Sequence, residues 1–193
     1  MAQTIIGLFD LVEQAQAGVQ ALLNNGVPHD GISLVANGRP IARAVGQDLL
    51  PGDPVSAGAA TGGTLGMLPG LGMLTLPGLG PVLVAGPLTA AIGMALASAG
   101  EGAPAGGLIG ALTSAGIPDD DAHVYAQSIL RGGAIVAVTT GALLGAAVSD
   151  LLSRAGAVDA AARRTELRGS GWEGFDPAAS RTSMAGEPDS TLF

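Results

Sequence analysis

The sequence predicts an α+β fold: a ferredoxin-like double β-α-β sheet split by a glycine-rich helical insert. Three observations predict it. A β-α-β pattern opens the chain, a similar pattern recurs near its other end, and between them lies a run with almost no charge in which small residues recur every fourth position.

The first unit begins with the short apolar run Thr4 to Phe9, which suits a buried strand. Asp10 stands where a helix should start, and Glu13 follows at capping-box spacing. Val12, Ala15, Val19, Leu22 and Leu23 recur at helical intervals, and Gly26 supplies the stop. Ile32 to Ala36 reads as the second strand, closed by Asn37-Gly38. In the second unit, Gly132-Gly133 precedes a strong strand over Ala134 to Thr139. A helix over Ala142 to Ala155 follows, then Gly156 and a weaker strand over Ala157 to Ala162. Two such halves meet the requirement of a ferredoxin-like sheet of four strands with its helices on one face.

The organisation is therefore residues 1–53 as the first half, 54–118 as the insert, 119–165 as the second half and 166–193 as a mobile polar tail. Within the insert the only charged residue is Glu101, and no aromatic residue occurs. One series of small residues runs Gly58, Gly62, Gly66, Gly70; a second runs Ser98, Gly102, Gly106, Gly110, Ser114. This spacing aligns small residues on one helix face and allows a second backbone to approach closely. Pro69, Pro77, Pro81 and Pro87 cut the region into short pieces. A further helix, Asp119 to Arg131, begins after Ile117-Pro118 with three Asp in its first turn, where the helix dipole favours them.

Composition removes whole classes of chemistry. All eight basic residues are Arg, so a phosphate-binding loop with its Lys, a Schiff base and a lysine base are excluded. The absence of Cys excludes thiol nucleophiles, disulfides and zinc-thiolate centres. A net charge of −8 without a basic cluster argues against nucleic acid as a partner. Gly70-Leu71-Gly72 and Gly78-Leu79-Gly80 do not complete a dinucleotide fingerprint, because Pro81 stands where a helix should follow. The only histidines are His29, beside Asp30 in a turn, and His123. Asp119 and Asp120 share a helix face with His123, the one metal-like grouping, but complementing the dipole accounts for these acids without a metal. Tyr125, beside Ala122 and Ile129, reads as core. No catalytic residue, cofactor site or metal site is expected.

The order Ile6-Gly7-Leu8-Phe9-Asp10, Gly26-Val27-Pro28, Ile32-Ser33-Leu34-Val35, Leu79-Gly80-Pro81-Val82-Leu83-Val84-Ala85-Gly86-Pro87-Leu88 and Gly116-Ile117-Pro118 continues through Ala122, Tyr125, Arg131, Gly132-Gly133 and Val136-Ala137-Val138 to Gly156-Ala157-Val158-Asp159. This order resembles the bacterial general-stress-protein family of the YflT type over most of residues 4 to 172. The resemblance implies a ferredoxin-like domain with a glycine-zipper insert, a link to stress, and no assigned chemistry.

The expected function is thus a non-enzymatic, stress-associated protein whose insert mediates membrane association, self-assembly into a homo-oligomer, or both. The Pro-free pieces fall short of the roughly 20 residues that span a bilayer, and the flanks carry acids instead of an excess of Arg. The start of the sequence has no basic region ahead of a long apolar run, so it does not read as a secretory signal. The expected location is the cytoplasm, with or without association with the inner face of the cell membrane. The alternative is a soluble regulatory module that binds a small ligand on its sheet or between subunits.

Overall fold

The structure is a computed structural model, and it describes residues 2–38, 72–76, 79–98, 106–114, 116–141 and 144–175. Five strands form one antiparallel sheet: β1 (Ala2–Phe9), β2 (Ile32–Asn37), β3 (Gly72–Leu76), β4 (Gly80–Ala85) and β5 (Ala134–Gly141), in the order β1-β5-β2-β4-β3. Six helices stand among the described residues. These are α1 (Val12–Asn24), α2 (Leu88–Ser98), α3 (Gly106–Ser114), α4 (Asp119–Leu130), α5 (Gly145–Arg154) and α6 (Ala160–Gly169). The fold is α+β, as expected.

β5 is the organising strand. It pairs with β1 on one side, Ile5 opposite Val138, and with β2 on the other, Leu34 opposite Val136. Its apolar residues are buried on both faces from Ala134 to Val138, which is why it reads as a continuous apolar run and not as an alternation. Along the central strands, alternate residues feed two separate cores. Leu34, Ala36, Leu83, Ala85, Ala134, Val136 and Val138 meet Ala15, Val19 and Leu22 of α1 and Val148 and Leu152 of α5. Val35, Val82, Val84, Ile135 and Ala137 face the other way, toward Ile92, Leu108, Leu112, Val124, Tyr125, Ile129 and Leu167.

Helices therefore cover both faces, which corrects the expectation of one helical face. Residues β1-α1-β2 form a split β-α-β unit with β5 between its strands, and β4, the three helices α2 to α4, and β5 form a second unit with β2 between its strands. The two crossovers run in equivalent directions yet lie on opposite faces. They consequently have opposite hands, so one is left-handed, a rare connection.

Several local expectations change for physical reasons. The predicted strand over Ala157 to Ala162 is one isolated bridge, Val158 opposite Leu8, followed by α6. Asp159 starts that helix: its Oδ1 accepts from the N–H groups of Ala161 (2.8 Å) and Ala162 (3.0 Å). The capping box at Asp10 does not form; Leu11 holds the N-cap position of α1 without a side-chain bond, and Asp10 pairs with Arg163 instead. The helix predicted over Ala142 to Ala155 is described from Gly145. The tail predicted to start at residue 166 is packed as far as Phe175, which is buried, and Leu167 is buried within α6.

Two close approaches fix the junctions. Gly86 has φ +83°, and a Cβ there would stand 2.1 Å from the Ile32 carbonyl oxygen, so only glycine lets the chain leave β4 against β2. Beside it, the buried Ser33 hydroxyl accepts from the Leu88 N–H at 3.2 Å, satisfying one of the orphan donors at the start of α2.

Candidate functional site

Two surfaces on the same side of the sheet are the candidate sites among the described residues. One is the uncharged helix pair α2–α3; the other is a polar concavity at the N-terminal end of α4.

The insert is not wholly helical, which corrects its reading as a helical zipper: Gly72–Leu76 and Gly80–Ala85 are paired strands. Its second half does form a helix pair, with α2 packed on α3. Neither helix contains a charged residue, LTAAIGMALAS against GGLIGALTS. Ile92, Leu108 and Leu112 are the buried anchors, while Met94 lies 67% exposed on the outside.

Of the predicted self-association residues, Gly58, Gly62, Gly66, Gly70 and Gly102 lie outside the described residues. Gly106 opens α3 and Gly110 stands in its middle. Among the described residues, a Cβ at Gly110 would meet nothing within 4 Å, and the same holds for Gly93 of α2. Ile92, Leu108 and Leu112 belong to one buried cluster, and among the described residues nothing stands against Gly93 or Gly110.

The polar concavity has a volume of about 130 Å³ and is lined by Asp119, Asp120, His123, Arg164, Arg168, Trp172, Glu173 and Gly174. The sequence singled out three of these, Asp119, Asp120 and His123; it missed Arg164, Arg168 and Trp172. The Asp159 N-cap followed by Ala160-Ala161-Ala162 was the signal that would have placed Arg163 and Arg164 on a helix.

Charges here are mostly spent within the fold. Arg164 reaches Asp121 and, at 3.7 Å, Asp120, fastening α6 to the first turn of α4. Arg163, only 15% exposed, bridges Asp10 and Glu166. His123 Nε2 lies 3.5 Å from Asp119, and His123 Nδ1 accepts the Phe175 N–H at 3.2 Å. No group of three or more metal-ligating side chains with suitable placement occurs among the described residues.

Tyr125 is buried behind this site, and its phenol is pushed up to about 12, first by burial, then by Asp121 and Asp159. It stays protonated at physiological pH and serves as core, as its helical position predicts.

Among the described residues no helix is long and apolar enough to cross a membrane. Among the described residues, helices pack on both faces of the sheet. No protein-family model, curated protein or solved structure matches the chain.

Proposed function

We propose that the chain is a non-enzymatic, stress-associated protein that self-assembles through its uncharged α2–α3 pair. The observation that carries this reading is that neither helix holds a charge on any side, although Met94 is exposed and the space beside Gly93 and Gly110 is open. A helix apolar around its whole circumference belongs in a buried setting, and an exposed apolar surface marks a contact. Small residues facing open space let a second backbone come close. A second copy of the chain supplies such a surface without a bilayer-spanning length, which these 11- and 9-residue helices lack.

The link to stress and the assignment of residues 54–118 as a zipper insert rest on the resemblance to the general-stress-protein family of the YflT type. The interleaved split β-α-β units are read as a variant of the ferredoxin-like plan, with a fifth strand added and the crossovers on opposite faces.

Light scattering coupled to size exclusion, without detergent, tests the proposal: an oligomer is expected. Flotation with liposomes separates the membrane alternative, since lipid contact at the inner face of the cell membrane would carry the protein up with the vesicles. A monomer that ignores liposomes would overturn both.

A further inference from the structure

The chain holds two Asn-Gly pairs, Asn25-Gly26 and Asn37-Gly38. Such a pair carries its own electrophile and nucleophile: the side-chain carbonyl carbon of Asn and the backbone nitrogen that follows it. With no Cβ on the following residue, that nitrogen is unshielded. The fold puts the two pairs in opposite settings.

Asn25 follows the last residue of α1, and both it and Gly26 are exposed. Its Nδ2 donates to the Ala21 carbonyl at 2.8 Å, and the Gly26 N–H donates to the Leu23 carbonyl at 3.0 Å. Both bonds belong to one exposed helix end, where local opening costs far less than unfolding. Among the described residues a Cβ at Gly26 would meet nothing within 4 Å, so the turn has room to rotate. Asn37 ends β2 and is 3% exposed. Its Nδ2 donates to the Ile129 carbonyl at 2.8 Å, its own N–H to Gly133 at 3.2 Å, and the Gly38 N–H to Pro81 at 2.9 Å. A Cβ at Gly38 would stand 3.0 Å from the Pro81 carbonyl. Freeing this second pair means parting β2 from β4, which it faces at Val82.

We propose that Asn25 is a site of spontaneous deamidation and that the fold holds Asn37 inert. The Gly26 nitrogen gives up its proton and bonds to Asn25 Cγ. The Cγ–Nδ2 bond then breaks, and Nδ2 takes up a proton and leaves as ammonia. Water opens the resulting succinimide at either carbonyl, giving aspartate or isoaspartate. The sum converts an amide and water into a carboxylate and ammonium, so water is the one co-reactant. The turn holds Asn25 at ψ 11°, which turns the Gly26 nitrogen away from Cγ, so ring closure runs through the frayed turn. The two hydrogen bonds slow the reaction without stopping it.

The product alters the end of α1. A carboxylate replaces the donor to Ala21 and adds negative charge at a helix C-terminus, where the dipole opposes it. Isoaspartate also lengthens the main chain just ahead of Val27, whose N–H donates to the Leu22 carbonyl at 3.1 Å and whose side chain is buried in the same cluster as Leu22. The clasp that closes the helix is weakened.

Incubating the full chain at pH 8, native and in urea, and mapping it by mass spectrometry tests the proposal. In urea both pairs should convert at similar rates. In the native chain Asn25 should convert about five- to hundredfold more slowly than in urea, the range that two hydrogen bonds carry, while Asn37 stays intact over the same interval. Asn25→Gln, which would have to close a larger ring, should end conversion at that position and remove the acidic variant seen by anion exchange. The converted form, once separated, should show lower protection of the Val27 amide with β5 amides unchanged. Native conversion of Asn37 as fast as that of Asn25, or an Asn25 that converts in urea alone, overturns the proposal. Unchanged Val27 protection in the separated form overturns the part concerning α1.

Discussion

α4 with α6 and α2 with α3 cover the same face of one sheet, and they do so with opposite chemistry. The first pair buries Val124, Ile129 and Leu167 inward and closes its rim with Arg164 against Asp120 and Asp121. The second buries Ile92, Leu108 and Leu112 inward and has no rim charge at all. Water satisfies the outer surface of the first pair. The second presents no charged group to water, and an exposed apolar surface gains by being covered. Inward packing is thus similar in the two pairs, and the difference lies on the outside.

Paired core truncations sharpen that comparison with the largest effect. Ile92 and Leu167 are 0% and 1% exposed and belong to one cluster. Ile92→Ala and Leu167→Ala should each destabilise by about 2–5 kcal/mol, through lost transfer energy and the cavity left behind. Urea unfolding gives both values. A near-zero cost for Ile92→Ala alone would mean that the uncharged pair is not part of this core.

The second effect belongs to the charged pair alone and appears only in alkali. Burial and the neighbouring Asp121 and Asp159 push Tyr125 up to about 12 from its ordinary 10. The folded state keeps the proton that the unfolded chain releases, so this contribution is complete below pH 10 and is lost as pH rises toward 12. At full ionisation it amounts to about 2–3 kcal/mol. Tyr125→Phe should abolish this loss, and the absorbance of the chain's one tyrosine follows the titration directly. An identical alkaline profile for the variant would show that the phenol is not held neutral by the fold.

What the sequence revealed follows from how each element is held. β1, α1, β2 and β5 declare themselves because periodicity and glycine stops are local signals, and each lies close to its predicted span. β3 and β4 were hidden inside a run of Gly, Leu and Pro, and the pairing that anchors them is distant: Val35 opposite Val84 is a tertiary fact with no local mark. α6 was mistaken for a strand because Ala157-Val158 is apolar and extended, although Asp159 beside it is an N-cap. The polar site was half legible. Asp119, Asp120 and His123 share a helix face, which spacing shows, whereas Arg164 and Trp172 arrive there through the docking of α6.

That docking can be loosened in isolation, with a third and smaller effect. Asp159→Ala removes the acceptor for the Ala161 and Ala162 N–H groups and should cost about 1 kcal/mol. The cost should appear as fraying at the first turn of α6, next to Arg163 and Arg164, leaving α2 and α3 unaffected. Amide exchange in α6 against α3 makes the distinction, and equal loosening of both would show that the two helix pairs unfold as one unit.

The smallest effect on stability separates the pairs most sharply in behaviour. Met94 is 67% exposed on α2, so replacing it removes little buried area; Met94→Glu should change unfolding stability by less than about 0.5 kcal/mol. The same carboxylate would have to be desolvated at the centre of a contact between two uncharged helices, where an unpaired charge is costly. Self-association should therefore weaken strongly while the monomer stays folded. Met94→Leu, which keeps the surface apolar, should leave association as it was. A charge on the already polar rim, Arg168→Glu, serves as the matched control and should not alter oligomer size. If Met94→Glu assembles as well as the unaltered chain, the exposed side of α2 is not the contact, and the contrast between the two helix pairs is one of composition without consequence for assembly.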